Sequence, residues 1–457
     1  MTSRLAARLA RASAAPLFAA LFAALLAGLV PAAAQAAPVW ITVGDDAYRV
    51  LQKVAPSARA VATRGVAVNV PVQRGSARLT QAIENVHVVE IDDNMIPTLS
   101  LAVHMKLAKC GGFMQHASQA EALAALHRLE GNPEPLLAPS YTIDNQTQVN
   151  AMLPQLQASN LLSTITQLSN FQNRRYNSTH GVAASNWLLS HWQSLNPGNR
   201  RTIRVRQIPH TWAQPSVEFE ILGTGNSGET VVIGAHLDSI AGSGIETSRA
   251  PGADDDASGV AGLTEIIRVM MASNYQPKRN IRFIAYAAEE VGLLGSKAIV
   301  AQQAGRRDKV VGVMQLDMTA FQGSATDLWI YTDFTNAAQN AFVANLAATY
   351  LPTLTVGYDR CGYGCSDHAS WHAGGFAVSF PFESSDLTYN RAIHTANDTI
   401  ATFGNQANHA LKFTQLALAF LVELASDATP AVARGEAAAA TRKAPGAARA
   451  VATTAAQ

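Results

Sequence analysis

The chain has 457 residues, of which 48% are hydrophobic and 15% charged, and its formal net charge is +1. This composition predicts large packed cores and excludes a wholly disordered chain. Residues 1–36 carry three arginines and no acid, and residues 428–457 carry four basic residues against one acid, so the remainder is net acidic. A net acidic remainder argues against nucleic acid as a partner, because binding it requires a clustered basic surface.

The first 36 residues have the order of a secretory signal peptide. Three arginines precede an apolar run at residues 14–30, and the small residues Ala34-Gln35-Ala36 follow. This order predicts cleavage after Ala36 and a protein secreted to the outside of the cell, by way of a periplasm where the cell has one. A membrane anchor is the alternative, which Pro16 and the shortness of the run disfavour.

Residues 37–138 are predicted to form a small α+β unit of their own. Strands are expected at residues 39–43 and 86–91, where β-branched residues are frequent, and a helix at residues 123–129. A cluster of Gly, Asn and Pro at residues 131–135 predicts a linker. No catalytic group of residues stands out in this unit.

Residues 139–427 alternate between strand and helix patterns. This alternation predicts an α/β layered fold with a largely parallel sheet. The predicted strands are residues 219–222, 231–234, 281–286, 311–316, 328–331 and 376–380, and the predicted helices are residues 181–196, 259–271, 337–350 and 410–425. Residues 428–457, with 14 alanines in 30 positions and no apolar stripe, predict a disordered or removable tail.

The three cysteines fit an exported protein. Cys361 and Cys365 are separated by Gly-Tyr-Gly, whose glycines permit a turn tight enough for a disulfide in an oxidising compartment. Two free thiols would be expected if the chain were not exported. Cys110 is left over, and two readings of it stay open: a small buried residue, or a thiolate that caps a metal.

Acids and histidines follow the predicted strands. In an open α/β sheet, ligands bind at the carboxyl ends of the strands, and mixed His and carboxylate ligands suit zinc. Each pattern alone is also typical of a polar strand end or a helix N-terminus, but together they predict a di-metal hydrolase. The candidate residues are His236, Asp238, Asp254, Asp255, Asp256, Glu289, Glu290, Asp317 and His394.

These segments resemble the secreted bacterial leucyl aminopeptidases, which are exopeptidases with two zinc ions. The matching segments are His-Leu-Asp-Ser from residue 236, Pro-Gly-Ala-Asp-Asp-Asp-Ala-Ser-Gly from 251, Ala-Tyr-Ala-Ala-Glu-Glu-Val-Gly-Leu from 285, Gln-Leu-Asp-Met-Thr from 315 and Cys-Gly-Tyr-Gly-Cys-Ser-Asp-His-Ala-Ser-Trp from 361. The resemblance covers residues 143–427 and implies a three-layer sandwich with a mostly parallel mixed central sheet. Residues 37–138 resemble the family's pro-segment more loosely. We therefore expect a zymogen in which that segment assists folding and covers the active site until it is removed.

The resemblance also implies a role for each candidate. Asp255 would bridge two Zn²⁺ ions and precede a cis peptide bond, and Glu289 would be the general base and acid. Asp238 would orient His236. The remaining ligands would be Glu290 and His394 at one ion and His236 and Asp317 at the other. A free α-amine would bind at one ion, which restricts the enzyme to peptides with a free N-terminus.

The resemblance implies an apolar pocket for the substrate's N-terminal residue. The matching positions are Met318, Tyr331, Cys361, Tyr363, Cys365, Phe380, Phe382, Tyr389 and Ile393, which would favour Leu and other large hydrophobic residues. Asp386 departs from the family, which has an aromatic residue there. If its carboxylate enters the pocket, basic residues become substrates. If Leu387 fills the gap instead, which we expect, the preference stays aliphatic.

Two other functions remain as alternatives. A glutaminyl cyclase shares this fold with a single zinc, but the presence of both His236 and Asp317 favours two ions. A zinc-binding module that only captures peptides would not need Glu289 beside the ligand Glu290. We expect a monomeric enzyme that acts on peptides and has no membrane partner after signal cleavage.

Overall fold

The computed structural model describes residues 38–107, 111–129, 137–198, 200–225, 228–303, 309–427 and 432–433. The signal peptide, Cys110, the linker at residues 131–135 and all but two residues of the tail lie outside these ranges. The two described tail residues, Val432–Ala433 (β14), pair antiparallel with Leu137–Ala138 (β5). None of the described helices combines the length and the apolar character that a membrane span requires.

The N-terminal region, which we define as residues 38–129, is a small α+β unit. Its antiparallel sheet has the order β2-β3-β1-β4, and the long hairpin of β2 and β3 was not anticipated from the sequence. The strands are β1 (Pro38–Gly44), β2 (Ala60–Pro71), β3 (Leu79–Asp92) and β4 (Phe113–His116), and the helices are α1 (Asp45–Val54), α2 (Ile96–Leu107) and α3 (Gln119–Leu129).

The larger part of the chain is built on one eight-stranded mixed sheet of order β12-β11-β13-β10-β8-β9-β7-β6. The pairs β12–β11, β13–β10, β10–β8 and β8–β9 are parallel, and the other pairs are antiparallel. The strands are β6 (Ile203–Ile208), β7 (Ser216–Ile221), β8 (Glu229–His236), β9 (Asn280–Tyr286), β10 (Lys309–Gln315), β11 (Leu328–Tyr331), β12 (Val356–Asp359) and β13 (Val378–Phe382).

Helices cover both faces of this sheet. The helices are α4 (Gln146–Met152), α5 (Ala158–Ser169), α6 (Thr179–Ser194), α7 (Ala257–Ala272), α8 (Leu294–Gln303), α9 (Ala337–Tyr350), α10 (His368–Ala373) and α11 (Asn408–Ser426). Within β8, Val231 and Ile233 pack into the core that holds α7 and α11, whereas Val232 packs into the core that holds α8 and α10. Both faces of the strand are therefore buried, which explains its continuous apolar run.

The predicted fold class is confirmed: a three-layer α/β sandwich with a mostly parallel mixed sheet follows a small α+β region. Every strand and helix predicted from the sequence has a counterpart in the structure. Two of them have the predicted bounds, the others differ by up to four residues at either end, and β3 begins seven residues earlier than predicted. Besides β2, the sequence patterns missed several described elements, namely β4, β5, β6, β12, β14, α1, α2, α4, α5, α8 and α10.

Candidate functional site

The candidate site lies at the carboxyl ends of three adjacent parallel strands. β8 lies between β10 and β9 and ends with His236. Glu289 and Glu290 follow β9, and Asp317 follows β10. Because parallel strands end at the same edge of the sheet, residues far apart in sequence meet there.

The structure brings the predicted metal ligands into direct contact. Nε2 of His236 lies 2.9 Å from Oδ1 of Asp255 and 3.4 Å from Oδ1 of Asp317. Nε2 of His394 lies 2.6 Å from Oε2 of Glu290 and 3.3 Å from Oδ2 of Asp255. Asp255 therefore lies between two histidines, each of which has a second carboxylate neighbour, and this is the arrangement a bridged pair of cations requires.

The loop before α7 holds Asp255 in place. The peptide bond between Asp255 and Asp256 is cis, as the resemblance implied. Asp256 is the N-cap of α7 and accepts hydrogen bonds from the amides of Gly259, His236 and Met318. Because backbone amides surround its carboxylate, Asp256 stabilises the loop and is a poor candidate for a metal ligand, although it lies close to His236 and Asp317.

Asp398 is a contributor to the site that the sequence analysis did not identify. Its carboxylate accepts hydrogen bonds from the amides of Asp254 and Asp255, and its carbonyl accepts one from Ala253. Asp398 is fully buried and stands four residues after His394. Its position in the same segment as a candidate ligand was the signal that could have indicated it.

Asp238 supports the site in a different way from the expected one. The ring Nδ1 of His236 lies 3.1 Å from the backbone carbonyl of Asp238 and 3.7 Å from its carboxylate. The carboxylate accepts hydrogen bonds from the amides of Glu289 and Glu290, at 2.9 and 3.2 Å. The main chain of Asp238 thus orients His236, and its side chain positions the two glutamates. The direct partner of Asp317 is Ser366, whose hydroxyl donates to Oδ2 at 2.6 Å.

The side-chain oxygen and nitrogen atoms of this cluster are suited to bind metal ions. Both carboxylate oxygens of Glu289, Oδ1 of Asp317 and Nδ1 of His394 are buried and have no hydrogen-bond partner among the described residues. Buried polar groups normally have partners, because leaving them without one costs free energy. Imidazole nitrogens and carboxylate oxygens are the ligand types that zinc binds. The residues present therefore suit one or more divalent cations.

The pKa values reflect this concentration of buried charge. Burial raises the pKa of Glu289 well above its usual value, and the charges of Asp367, Glu290 and Asp317 act in the same direction. Burial and the charge of Asp255 raise the pKa of Glu290 to about 7. Burial disfavours the charged form of His394, but the carboxylates of Glu290 and Asp255 outweigh it and raise its pKa to about 10. Bound cations would offset the repulsion among these buried carboxylates.

Three residues at the site have left-handed backbone conformations. Ala288, Met318 and His394 have φ values of 59°, 57° and 55°. Such values are unusual for residues with a Cβ and cluster at functional sites, where the surrounding packing enforces them. Ala288 precedes the candidate base Glu289, Met318 follows the candidate ligand Asp317, and His394 is itself a candidate ligand. These backbone turns therefore help to orient the side chains of the site.

An apolar pocket adjoins the cluster. The predicted pocket residues Met318, Tyr331, Cys361, Cys365, Phe380, Phe382, Tyr389 and Ile393 form one buried cluster, together with Trp329, which the sequence analysis had not included. A cavity of about 20 Å³ remains, lined by Asp317, Tyr331, Cys361, Cys365, Phe380, Phe382, Asp386 and Tyr389. This is space for about one water molecule. Met318 and Ile393 pack behind the walls.

Asp386 and Tyr363 are placed differently from the expectation. Asp386 lines the cavity, whereas the neighbouring Leu387 is 64% exposed and does not fill it. Tyr363 packs against the N-terminal region instead, where its hydroxyl meets Thr42 at 2.7 Å and Met114 at 3.0 Å. Cys361 and Cys365 are joined by the predicted disulfide, with their Cα atoms 6.1 Å apart, and form part of the pocket wall.

Helix α2 of the N-terminal region lies against the cluster. The hydroxyl of Ser100 donates a hydrogen bond to the backbone carbonyl of Glu290 at 3.1 Å. The ring of His104 packs on that of His394 with centroids 4.8 Å apart. Both α2 residues are buried, so this helix covers one side of the candidate metal centre.

Comparisons with known proteins agree with this geometry. The model of Peptidase family M28 matches residues 219–419. Leucine aminopeptidase 1 of Arthroderma otae is 36% identical over 309 residues, covering 64% of this chain and 80% of the relative. Leucine aminopeptidase 1 of Metarhizium robertsii is 35% identical, covering 61% of this chain and 73% of the relative.

Solved structures give the same result. The LapA aminopeptidase of Legionella pneumophila is 29% identical with a TM-score of 0.71, and covers 86% of this chain and all of the other. LapB from the same organism has a TM-score of 0.70 at the same identity and coverage. From the matched family model, the extent of the sequence similarity and the shared fold, it follows that this chain belongs to peptidase family M28 and is a hydrolase of peptide bonds.

Proposed function

We propose that this peptidase is a secreted aminopeptidase with two Zn²⁺ ions, which removes Leu and other large hydrophobic residues from the N-terminus of peptides. The observation that carries the proposal is the position of Asp255 between two histidine–carboxylate pairs, next to an apolar pocket. The names of the fungal and Legionella relatives support the aminopeptidase activity.

In this proposal Asp255 would contribute to both metal sites. His236 and Asp317 would hold one ion, and Glu290 and His394 would hold the other. When bound, the ions lower the pKa of a bound water and polarise the scissile carbonyl. Several buried oxygen and nitrogen atoms of these side chains have no hydrogen-bond partner among the described residues. They support this assignment, because they could bind cations instead.

Glu289 is the proposed general base and acid. Its carboxylate is buried in the cluster, binds no other described side chain, and is held in place through its amide by Asp238. It accepts a proton from the attacking water and later donates it to the leaving amine. The raised pKa of Glu289 supports the second role, because a carboxyl group that binds a proton more readily can deliver it at neutral pH.

The apolar pocket supports the proposed preference for Leu. Its aromatic walls at Tyr331, Phe380 and Phe382 would bury an aliphatic side chain, which contributes roughly 1.5–3 kcal/mol. The cavity in the full chain has room for about one water molecule and cannot admit a leucine side chain without movement.

We propose further that residues 37–138 are a pro-segment that keeps the enzyme latent. The packing of Ser100 and His104 against Glu290 and His394 supports this role, as does the narrow pocket in the presence of this segment. Cleavage between this segment and the catalytic unit, which we assign to residues 139–427, would remove these contacts from the metal centre and allow the pocket to widen. The roles of Cys110 and of the tail at residues 428–457 stay predictions.

The test begins with the protein purified after expression of the full chain. Leucyl p-nitroanilide should be hydrolysed, N-acetyl-leucyl p-nitroanilide should not, and a chelator should abolish turnover. Mass spectrometry should find two zinc ions and a first residue at Ala37 or later. Hydrolysis of the acetylated substrate would contradict an aminopeptidase. A single zinc with cyclisation of glutaminyl peptides would favour the cyclase.

The latency proposal has its own test. Turnover of leucyl p-nitroanilide should rise when the purified full chain is cleaved between the N-terminal region and the catalytic unit, as followed by gel electrophoresis. An uncleaved chain as active as the cleaved one on this small substrate would remove the covering role and leave the aminopeptidase proposal intact.

A further inference from the structure

The pocket wall contains one acidic side chain outside the metal cluster. Asp386 follows β13 and lines the same cavity as Tyr331 and Phe382. Leu387, the next residue, is mostly exposed and leaves this position to the carboxylate. An acid in an otherwise aromatic wall does not contribute to the binding of leucine, because a carboxylate must be desolvated without gain when an aliphatic side chain packs beside it.

A second carboxylate lies directly beside Asp386. Asp359, the last residue of β12, is buried, and its Oδ2 accepts a hydrogen bond from the amide of Asp386 at 3.0 Å. On the outer side, Asp386 also lines a cleft of about 300 Å³ that opens toward the N-terminal region. Asp386 therefore stands where the apolar pocket meets this cleft, with Asp359 beside it.

The chain itself places a cation at this position. Nε of Arg74 donates to the same Oδ2 of Asp359 at 2.6 Å. Arg74 lies in the turn between β2 and β3, and this turn is fixed by a hydrogen bond of 2.8 Å from the amide of Gly75 to the carbonyl of Tyr358. A basic side chain from the N-terminal region thus binds Asp359, the acid beside Asp386.

Arg391 is a second cation near Asp386. The guanidinium of Arg391 lies 4.1 Å from the centre of the Tyr389 ring, and its Nη2 donates to the backbone carbonyl of Asp386 at 2.9 Å. Arg360, which is exposed, lines the outer cleft together with Arg74. These contacts fix the loop that carries Asp386 at the pocket.

We propose that Asp386, supported by Asp359, forms a cation-binding end of the substrate pocket, so that the enzyme removes N-terminal Lys and Arg in addition to Leu. Arg74 occupies this end while the N-terminal region is bound. A lysine or arginine side chain suits both parts of the pocket, because its methylene groups pack on aromatic walls while its charged end meets a carboxylate. This inference rests on the proposed aminopeptidase activity.

The experiment compares kcat/KM for lysyl, arginyl and leucyl p-nitroanilides. It uses the purified wild type, Asp386→Asn, Asp386→Phe and the control Asp144→Asn, which removes an exposed carboxylate that accepts a hydrogen bond from the neighbouring side chain of Asn145. Asp386→Asn should lower kcat/KM for the two basic substrates at least tenfold and change that for leucine less than twofold. Asp386→Phe should lower it for the basic substrates by as much or more. Asp144→Asn should change none of the three.

The inference predicts a further effect of Arg74. In the uncleaved chain, Arg74→Ala should raise kcat/KM for the lysyl substrate more than for the leucyl one, because it removes the guanidinium that binds Asp359. Hydrolysis of the leucyl substrate with a lysyl rate that Asp386→Asn leaves unchanged would overturn the cation-binding end alone. Absence of hydrolysis of all three substrates by every form would overturn the proposed aminopeptidase activity, and this inference with it.

Discussion

Replacement of Glu289 by glutamine separates catalysis from metal binding. The side chain of Glu289 makes no hydrogen bond to another described residue, and its backbone amide stays bound to Asp238 in the variant. The substitution keeps the shape of the side chain and removes one charge from a crowded group of buried acids. We therefore expect the free energy of unfolding to change by no more than about 1 kcal/mol.

The effect on turnover should be much larger. General acid–base groups contribute a factor of about 10²–10⁴ to the rate, so kcat should fall by that factor, which corresponds to roughly 3–5 kcal/mol of activation free energy. KM for leucyl p-nitroanilide should stay within a few-fold, and mass spectrometry should find as much zinc as in the wild type. Glu290→Gln should lose zinc as well as activity, because Glu290 lies 2.6 Å from His394 as a ligand would.

Glu423→Gln is the matched control for a buried glutamate. Its carboxylate accepts hydrogen bonds from the amides of Asp144 and Asn145 and from the hydroxyl of Tyr350, none of which belongs to the candidate site. This variant should lose about 1–3 kcal/mol of stability and keep kcat/KM. A Glu289→Gln enzyme with full zinc content and a kcat within tenfold of the wild type would refute the assigned proton transfer.

Three further predictions concern groups around the site. Asp398→Asn should weaken zinc binding by about 10–100-fold in a competition assay, because the substitution replaces one acceptor oxygen by a donor NH2 group, which would face an N–H donor of Asp254, Asp255 or Asn390; unchanged affinity would contradict the supporting role. His104→Ala should speed the release of zinc from the uncleaved chain to a colorimetric chelator, since the ring contact with His394 contributes about 0.5–1.5 kcal/mol; an unaltered rate would show that α2 does not cover the metal. Burial lowers the pKa of His116 to about 4, so its neutral form stabilises the fold above pH 6.5 and this contribution, about 3 kcal/mol, is lost as the pH falls from 6.5 to 4. The melting temperature of His116→Gln should therefore change less between pH 6.5 and pH 4 than that of the wild type. An equal change in both proteins would show that His116 does not cause the pH dependence.

The candidate metal ligands could be found in the sequence because two independent patterns coincide there. The apolar runs of β8, β9 and β10 identify buried strands, and an acid or histidine that directly follows a buried strand stands out against them. A parallel sheet then gathers its strand ends at one edge, whatever the details of packing. This is why His236, Glu290 and Asp317 can be placed together from the sequence alone.

Only the tertiary structure decided how the residues around these ligands act. Asp254, Asp255 and Asp256 are equivalent in a sequence pattern, yet Asp255 contacts both histidines and Asp256 caps α7. The carboxylate of Asp238 accepts hydrogen bonds from the amides of Glu289 and Glu290 and lies farther, at 3.7 Å, from the ring of His236, and Asp398 holds a loop more than 140 residues away. Hydrogen bonds of this kind depend on the direction of a loop backbone, which no local periodicity encodes.

The pocket shows the same division. Its aromatic composition followed from the sequence, but the orientation of three residues did not: Tyr363 faces the N-terminal region, Asp386 enters the wall, and Leu387 faces solvent. Tyr363 is oriented by a contact with Thr42, 321 positions away, and the backbone at Asp386 is held by Asp359, 27 positions away on another strand. Composition and periodicity along one chain report burial and strand direction, whereas the side that a loop residue presents is set by its packing against other elements of the fold.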